Sequence, residues 1–167
     1  VMNCQKPKLI FAEDALRIEG TLDTSQGLCQ GGVYFATLID DKNLKLQYLL
    51  GLYNSRLLTF IFKCLYSGIH MGGGYLRFRT EYLEEMPIRH IDFSNPKDKK
   101  LHDDLVALVE RMLDLKKRQA SLPKDSTDWQ DIEQEIKLTD NSIDSLVYGL
   151  YGLTEEERRV VEGDAEK

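Results

Sequence analysis

A glycine-rich stretch followed by arginines is the part of this sequence whose residue types are best suited to bind a ligand. It runs from Ser67 to Arg79 and reads SGIHMGGGYLRFR. Gly73 is the middle of three consecutive glycines, which let a backbone approach a ligand closely. Tyr75, Arg77 and Arg79 alternate with apolar residues, so in a β-strand these three side chains share one face.

The chemistry that these residues offer is DNA contact. Arginine can hydrogen-bond a phosphate or the edge of a guanine through two parallel N–H groups, and tyrosine can contact the sugar–phosphate backbone. The candidate contacts are His70, Gly73, Tyr75, Arg77 and Arg79, with Lys6, Lys8 and Arg17 as weaker candidates. From these residues alone, a surface loop before a strand with a solvated face is the more frequent explanation, and DNA contact is the second.

Catalytic interpretations have less support in the sequence. Glu135-Ile136-Lys137 matches half of a nuclease motif, but no Pro-Asp pair precedes it at strand spacing, and a solvated helix face explains it better. The three histidines have no regular ligand spacing, which argues against zinc. The three glycines are not followed by the Lys and Ser or Thr of a phosphate-binding loop. We therefore expect no catalytic residues and no metal site in this chain.

The charge of the sequence is unevenly spread. Residues 1–93 contain ten basic and ten acidic residues, and residues 94–167 carry the whole net charge of -6. An acidic balance argues against a general nucleic-acid coat, but the neutral half can still present a basic face. Hydrophobic residues make up 42% and charged residues 30%, as in ordinary globular proteins, and no apolar run is long enough for a membrane span.

The strongest periodicity lies between Leu101 and Leu153 and predicts an antiparallel helical hairpin. Two heptad-patterned segments flank a break at residues 122–127, where Pro123 cannot continue the first helix. Each arm is about 33 Å long at about 1.5 Å per residue. The predicted seam positions are Leu101, Leu105, Leu108, Met112, Leu115, Gln119 and Leu122 in the first arm, and Trp129, Ile132, Ile136, Thr139, Ile143, Leu146 and Leu150 in the second.

The first half of the chain predicts a small antiparallel sheet. Its strands are residues 6–11, residues 15–21 with Leu16 and Ile18 facing inward, residues 33–39, and the arginine-bearing residues 75–79. The fold class expected for the whole chain is therefore α+β, with the long hairpin as a coiled-coil-like spacer.

Helices are predicted on both sides of the glycine-rich stretch. One central buried helix of about 23 residues follows caps at residues 40–43 and ends before Gly68. Thr80 is expected to cap a short helix over residues 81–85. Thr154 and Glu157 form a capping box for a last short helix.

This organisation divides the chain into three parts. Residues 1–93 are the expected globular region, residues 94–163 the hairpin spacer and support, and residues 164–167 a frayed tail. A natural chain seldom begins with Val, so we expect a piece of a larger protein. Cys4, Cys29 and Cys64 are odd in number and widely spaced, which predicts reduced thiols in a cytoplasmic protein.

Three stretches resemble a known family of DNA target-recognition domains. Residues 48–58, YLLGLYNSRLL, are similar to its apolar helix with a central Asn-Ser. Residues 74–88 resemble the segment that follows, although many relatives have Leu-Pro-Ile-Pro where this chain has Met86-Pro87-Ile88-Arg89. Residues 143–157, IDSLVYGLYGLTEEE, are similar to the closing signature of the TaqI-like C-terminal specificity domain.

The resemblance extends over about residues 6–163 and implies a non-catalytic module that recognises a short sequence in double-stranded DNA. In that family the domain forms the C-terminal part of adenine-specific DNA methyltransferases and of the fused type IIG restriction–modification enzymes of prokaryotes. It implies a methyltransferase domain elsewhere in the same parent chain, which uses S-adenosylmethionine as cofactor and is fused in some relatives to an endonuclease. This chain has no Asn-Pro-Pro-Tyr motif and no glycine-rich cofactor loop.

With the resemblance, DNA contact becomes the favoured interpretation of residues 72–79. A structural or dimerisation module that acts through the hairpin without nucleic acid is the alternative.

Overall fold

A small sheet packed on helices, with a long helical hairpin beside it, confirms the α+β class. The structure is a computed structural model. It describes residues 6–25, 31–39, 43–66, 68, 72–124 and 126–165. Strand β1 (Lys8–Ala12) is central and pairs antiparallel with β3 (Gly20–Asp23) on one side and β4 (Val33–Ala36) on the other. A second, two-stranded ribbon pairs β2 (Asp14–Ala15) with β5 (Leu76–Arg77).

The predicted continuous strand over residues 15–21 is wrong. Between β2 and β3 the chain leaves the sheet, because its backbone groups bond to helix side chains instead of a neighbouring strand. Ile18 N donates to Thr59 Oγ1 at 3.2 Å, and Gly20 N donates to Asn54 Oδ1 at 2.7 Å. Ile18 is buried as expected, but Leu16 is 57% exposed.

The single central helix predicted before Gly68 is in fact two helices. These are α1 (Leu46–Tyr53) and α2 (Arg56–Leu65), and Ser55 between them is extended. The side chain of Ser55 accepts a bond from Leu58 N and so starts a new helix. Lys45 precedes α1 without a side-chain cap, so Asn43 does not cap this helix, and residues 40–42 of the predicted cap lie outside the described residues. Both helices are buried on one side, as expected for the core.

The predicted strand over residues 75–79 is shorter than expected, but its alternation is confirmed. Only Leu76 and Arg77 are in β5, because only Asp14 and Ala15 pair with it. Leu76 and Phe78 are almost completely buried, and Tyr75 and Arg79 are exposed. Helix α3 (Thr80–Leu83) begins one residue early, and Arg79 rather than Thr80 precedes it, with no side-chain cap.

The predicted hairpin is confirmed. Helix α4 (Pro96–Ala120) and helix α5 (Thr127–Tyr151) pack against each other along the heptad seam. Asn95 caps α4 and Ser126 caps α5, each by accepting a backbone N–H. Every predicted seam residue is buried or half-buried.

The hairpin lies against the rest of the chain along part of its length. At Gly51 of α1 a side chain is absent, and an added Cβ would lie 2.9 Å from Leu105 Cδ1 and from Val109 Cγ2. Helix α4 therefore approaches α1 closely. Farther out, Leu115, Ile132 and Ile136 form a second, smaller apolar cluster.

Helix α6 (Glu155–Ala165) follows Gly152, which has the left-handed φ of 70° typical of a helix end. The predicted capping box is present: Glu157 Oε2 accepts from Thr154 N, and Thr154 Oγ1 accepts from Glu157 N. The helix extends two residues into the predicted frayed tail, and residues 166–167 lie outside the described residues. Among the described helices, none combines the length and apolar character that crossing a membrane requires.

Two tyrosine hydroxyls hold the chain where it leaves the Met86-Pro87-Ile88-Arg89 turn. Tyr151 of α5 donates to Pro87 O at 2.6 Å and accepts from Arg89 N at 3.1 Å. Tyr48 of α1 donates to Arg89 O at 2.8 Å. The path of this turn is therefore fixed by α1 and α5 and does not depend on a second proline.

Candidate nucleic-acid interface

The β2–β5 ribbon positions the arginines of the candidate interface. Asp14 and Arg77 are paired residues of this ribbon, and Phe78 N donates to Glu13 O at 2.7 Å. Leu76 and Phe78 insert into the core. Because side chains alternate along a strand, burial of these two turns Arg77 and its neighbours outward.

Arg77 is held by two carboxylates. Its Nε lies 3.1 Å from Asp14 Oδ1 and 3.9 Å from Glu13 Oε1, and its Nη2 donates to Asp14 Oδ2 at 3.5 Å. The bond with Asp14 and the charges around it raise the pKa of Arg77 further above its usual value. Arg77 is therefore always charged, its orientation is fixed, and its charge is compensated before any ligand binds.

Tyr34 belongs to the same cluster and was not among the residues predicted from the sequence. Burial raises the pKa of its hydroxyl, the charge and hydrogen bond of Glu13 raise it further, and the charges of Arg79 and Arg77 lower it. Tyr34 of β4 pairs with Phe11 of β1, and Phe11 lies two positions before Glu13 in the chain. This neighbourhood depends on the register of β1 and β4, so no local sequence signal identifies it.

The remaining residues around the ribbon are more open. Tyr75 is 46% exposed, and the guanidinium of Arg79 lies 3.5 Å from Glu81 at the start of α3. Gly73 and Gly74 both have φ of 83°, in the left-handed region that favours glycine. A Cβ at Gly73 would meet only the ring of Tyr75. His70 lies outside the described residues.

The three weaker candidates differ in accessibility. Lys6 is exposed just before β1. Lys8 is only 1% exposed, and its Nζ lies 2.6 Å from Asp23 Oδ2, which together with Ser25 lowers the pKa of Asp23 to about 2. This ammonium is part of a structural ion pair, so we leave Lys8 out of the DNA contacts proposed below.

Arg17 lies two residues after the end of β2, outside the ribbon, and 53% of its side chain is exposed. Its Nη1 is 3.8 Å from Asp140 Oδ2 of α5, and its Nε is 3.9 Å from Glu19 Oε1. Both distances are longer than a hydrogen bond. The structure therefore brings Tyr34, Arg77 and Arg79 together, with Tyr75 exposed just before β5 and Arg17 outside the ribbon.

The half nuclease motif lies on the hairpin as a helix face. Glu135 forms an ion pair with Arg111 across the hairpin at 3.2 Å, and Ile136 is buried in the seam. Within the described ranges, no group of three or more His, Cys, Asp or Glu side chains has the arrangement of a metal site.

Most of the globular region matches a known protein family. Residues 2–88 match the family described as the TaqI-like C-terminal specificity domain. The matched range contains all eight candidate DNA contacts, and it ends at the turn that Tyr48 and Tyr151 hold. No curated protein matches the chain.

Proposed function

The chain belongs to the family of TaqI-like C-terminal specificity domains, and on that premise we propose that it recognises a short sequence in double-stranded DNA for a restriction–modification enzyme. The proposed contact surface is the arginine face, defined as Tyr34, Tyr75, Arg77 and Arg79. His70, Gly73 and Lys6 are proposed to contribute around its edge.

The observation that supports this proposal most directly is the oriented guanidinium of Arg77. Glu13 and Asp14 fix its position and compensate its charge. The two carboxylates compensate the charge of this arginine, which weakens its attraction to phosphate, while the guanidinium has more N–H groups than its bonds to Asp14 use. A guanine edge in the correct place can offer two acceptors to the same two-pronged donor. This arrangement favours sequence-dependent binding over general attraction to phosphate.

The hairpin of residues 94–163 is proposed to set the position of this face relative to a separate domain. That domain would be an adenine-specific methyltransferase using S-adenosylmethionine, with an endonuclease in type IIG enzymes. Support comes from the contacts that join the hairpin to the globular region: α4 packs on α1 at Gly51, and Asp144 of α5 bonds to Arg56 of α2. A spacer can transmit a fixed distance only when it is attached rigidly. We propose residues 1–93 as the recognition region on the same grounds.

Selection from a random duplex pool tests the recognition function. The 167-residue chain is incubated with duplexes that contain a randomised centre, and bound DNA is sequenced after several rounds. We expect one short sequence to be enriched, and Arg79→Gln to reduce or change that enrichment. Arg111→Gln on the hairpin removes the same charge away from the arginine face and should leave the enriched sequence unchanged.

Two outcomes would contradict the proposal. A pool that stays unenriched with the wild-type chain would show that no sequence is recognised. Sedimentation with and without duplex DNA at low salt addresses the alternative, because a dimer formed by the hairpin that ignores DNA would support a structural module.

A further inference from the structure

A concave surface with three cationic residues lies next to the glycine turn. We name it the cationic groove and define it by Leu16, Arg17, Arg56, Lys63 and Val161 among its lining residues. Its volume is about 280 Å³. The groove is formed where the segment after β2 meets α2 and α6.

The cationic groove continues the ribbon that carries Arg77. Ala15 pairs with Leu76, and the next residue, Leu16, lies near Gly74, where an added Cβ would be 3.9 Å from Leu16 Cδ2. Leu16 is thus the boundary between the glycine turn and the groove. Arg17 lies three positions after Asp14, the partner of Arg77, so their Cα atoms are at most about 11 Å apart.

The arginines of the groove have N–H groups that the chain itself does not use. Neither contact of Arg17 with a carboxylate is short enough for a hydrogen bond. Arg56 uses Nε toward Asp144 Oδ2 at 3.3 Å and Nη2 toward Asn141 Oδ1 at 3.1 Å, and a third of its side chain is exposed. Arginine has five donors, so both residues can bind a further acceptor.

Asp144, the charged partner behind Arg56, stays mostly ionised at neutral pH and holds this guanidinium in place. Burial raises the pKa of Asp144 to about 6, while the N–H and charge of Arg56 act in the opposite direction. Lys63 adds a third cation in the last turn of α2. The exposed side chain of Leu16 lines the edge of the groove and can contact the apolar part of a deoxyribose.

We propose that the cationic groove binds the sugar–phosphate backbone of duplex DNA beside the sequence that the arginine face reads. The inference rests on the proposed function and extends it to residues that fix the position of the duplex without reading bases. Backbone contacts of this kind set register and supply affinity that is independent of sequence.

Salt dependence of binding tests this assignment. Binding of the 167-residue chain to a 30-base-pair duplex of random sequence is measured by fluorescence anisotropy over a series of NaCl concentrations. We expect the double variant Arg17→Gln, Lys63→Gln to lower the slope of log K against log salt by about 1.8, since each lost phosphate contact contributes about 0.9. Lys63→Gln alone should lower it by about 0.9.

A matched control separates the groove from the total charge. Lys124→Gln, Lys137→Gln removes two exposed positive charges from the hairpin and should leave the slope unchanged. Circular dichroism melting tests whether each variant is folded. If the double variant does not fold, Lys63→Gln alone is used to measure the change in slope.

The outcomes distinguish this inference from the function on which it rests. An unchanged slope in both groove variants, with wild-type binding intact, overturns the groove assignment alone. A changed enriched sequence in the groove variants also overturns it, because backbone contacts carry no base preference. Failure of the wild-type chain to bind any duplex at 50 mM salt overturns both.

Discussion

Asp144 Oδ1 accepts a hydrogen bond of 2.9 Å from the backbone N–H of Arg56, and its Oδ2 lies 3.3 Å from Arg56 Nε. One carboxylate of α5 thus binds the first residue of α2, where unpaired N–H groups attract negative charge. This contact joins the hairpin to the globular region across 88 residues of sequence. The carboxylate of Asp144 is almost completely buried, whereas a third of the Arg56 side chain is exposed.

The pH dependence of stability should reveal the cost of ionising Asp144. Its pKa is about 6 in the folded chain against an ordinary 3.8, so its contribution to stability is fully present below 3.8 and is lost as pH rises through 6. We expect the free energy of unfolding of the wild type, relative to Asp144→Asn, to fall by about 2 kcal/mol from pH 4 to pH 7. Urea denaturation at a series of pH values measures this. A difference that does not change with pH would contradict the raised pKa.

The close approach of α1 and α4 predicts that Gly51→Ala destabilises the chain. The new Cβ would lie 2.9 Å from two buried side chains, Leu105 and Val109, which must shift. Such overpacking costs about 1–3 kcal/mol. Gly149→Ala is the control, because its Cβ, in the last turn of α5, would meet nothing within 4 Å. There the same change should stabilise by up to about 1 kcal/mol. Equal effects of the two substitutions in urea unfolding would show that the α1–α4 contact is looser than described.

Two tyrosines of α5 should respond oppositely to the loss of a hydroxyl. Tyr151→Phe removes a bond to Pro87 O and another from Arg89 N, and should lower the free energy of unfolding by about 1–2 kcal/mol. The hydroxyl of Tyr148 is buried and has no partner at normal hydrogen-bond geometry among the described residues, although the Arg56 guanidinium lies near enough to lower its pKa. Tyr148→Phe should therefore be neutral or stabilising. Thermal unfolding of both variants measures the difference, and a cost at Tyr148 equal to that at Tyr151 would be inconsistent with it.

The pair of Asp14 and Arg77 predicts a gain of DNA affinity from a lost carboxylate. Asp14→Asn removes the main partner of Arg77, so the charge of its guanidinium is less compensated, and affinity for random duplex should rise. Arg77→Ala should weaken binding of the enriched sequence by about 1–3 kcal/mol. In the double variant the gain should disappear. Anisotropy titration at constant salt tests all three, and a gain that persists without Arg77 would mean that Asp14 merely repels DNA.

Features that depend on near neighbours in the sequence were predictable. The heptad seam of the hairpin, the capping box of Thr154 and Glu157, and the inward direction of Leu76 and Phe78 follow from a period or from a spacing of a few residues. Each is set by helix or strand geometry alone, so it survives whatever the rest of the chain does. The candidate DNA-binding stretch was found in the same way, from residue types along one strand.

Only the tertiary structure decided which of these residues are accessible and how they are paired. At the break between α1 and α2, Asn54 accepts a hydrogen bond from Gly20, 34 residues away. Arg77 bonds to Asp14 across a separation of 63 residues. Lys8 and Arg79 are both cations near strands in the sequence, yet one is buried against Asp23 and the other is exposed. A sequence records which groups can form ion pairs and hydrogen bonds. Burial and partner choice are fixed only when packing brings distant segments together and removes water from some of these groups and not from others.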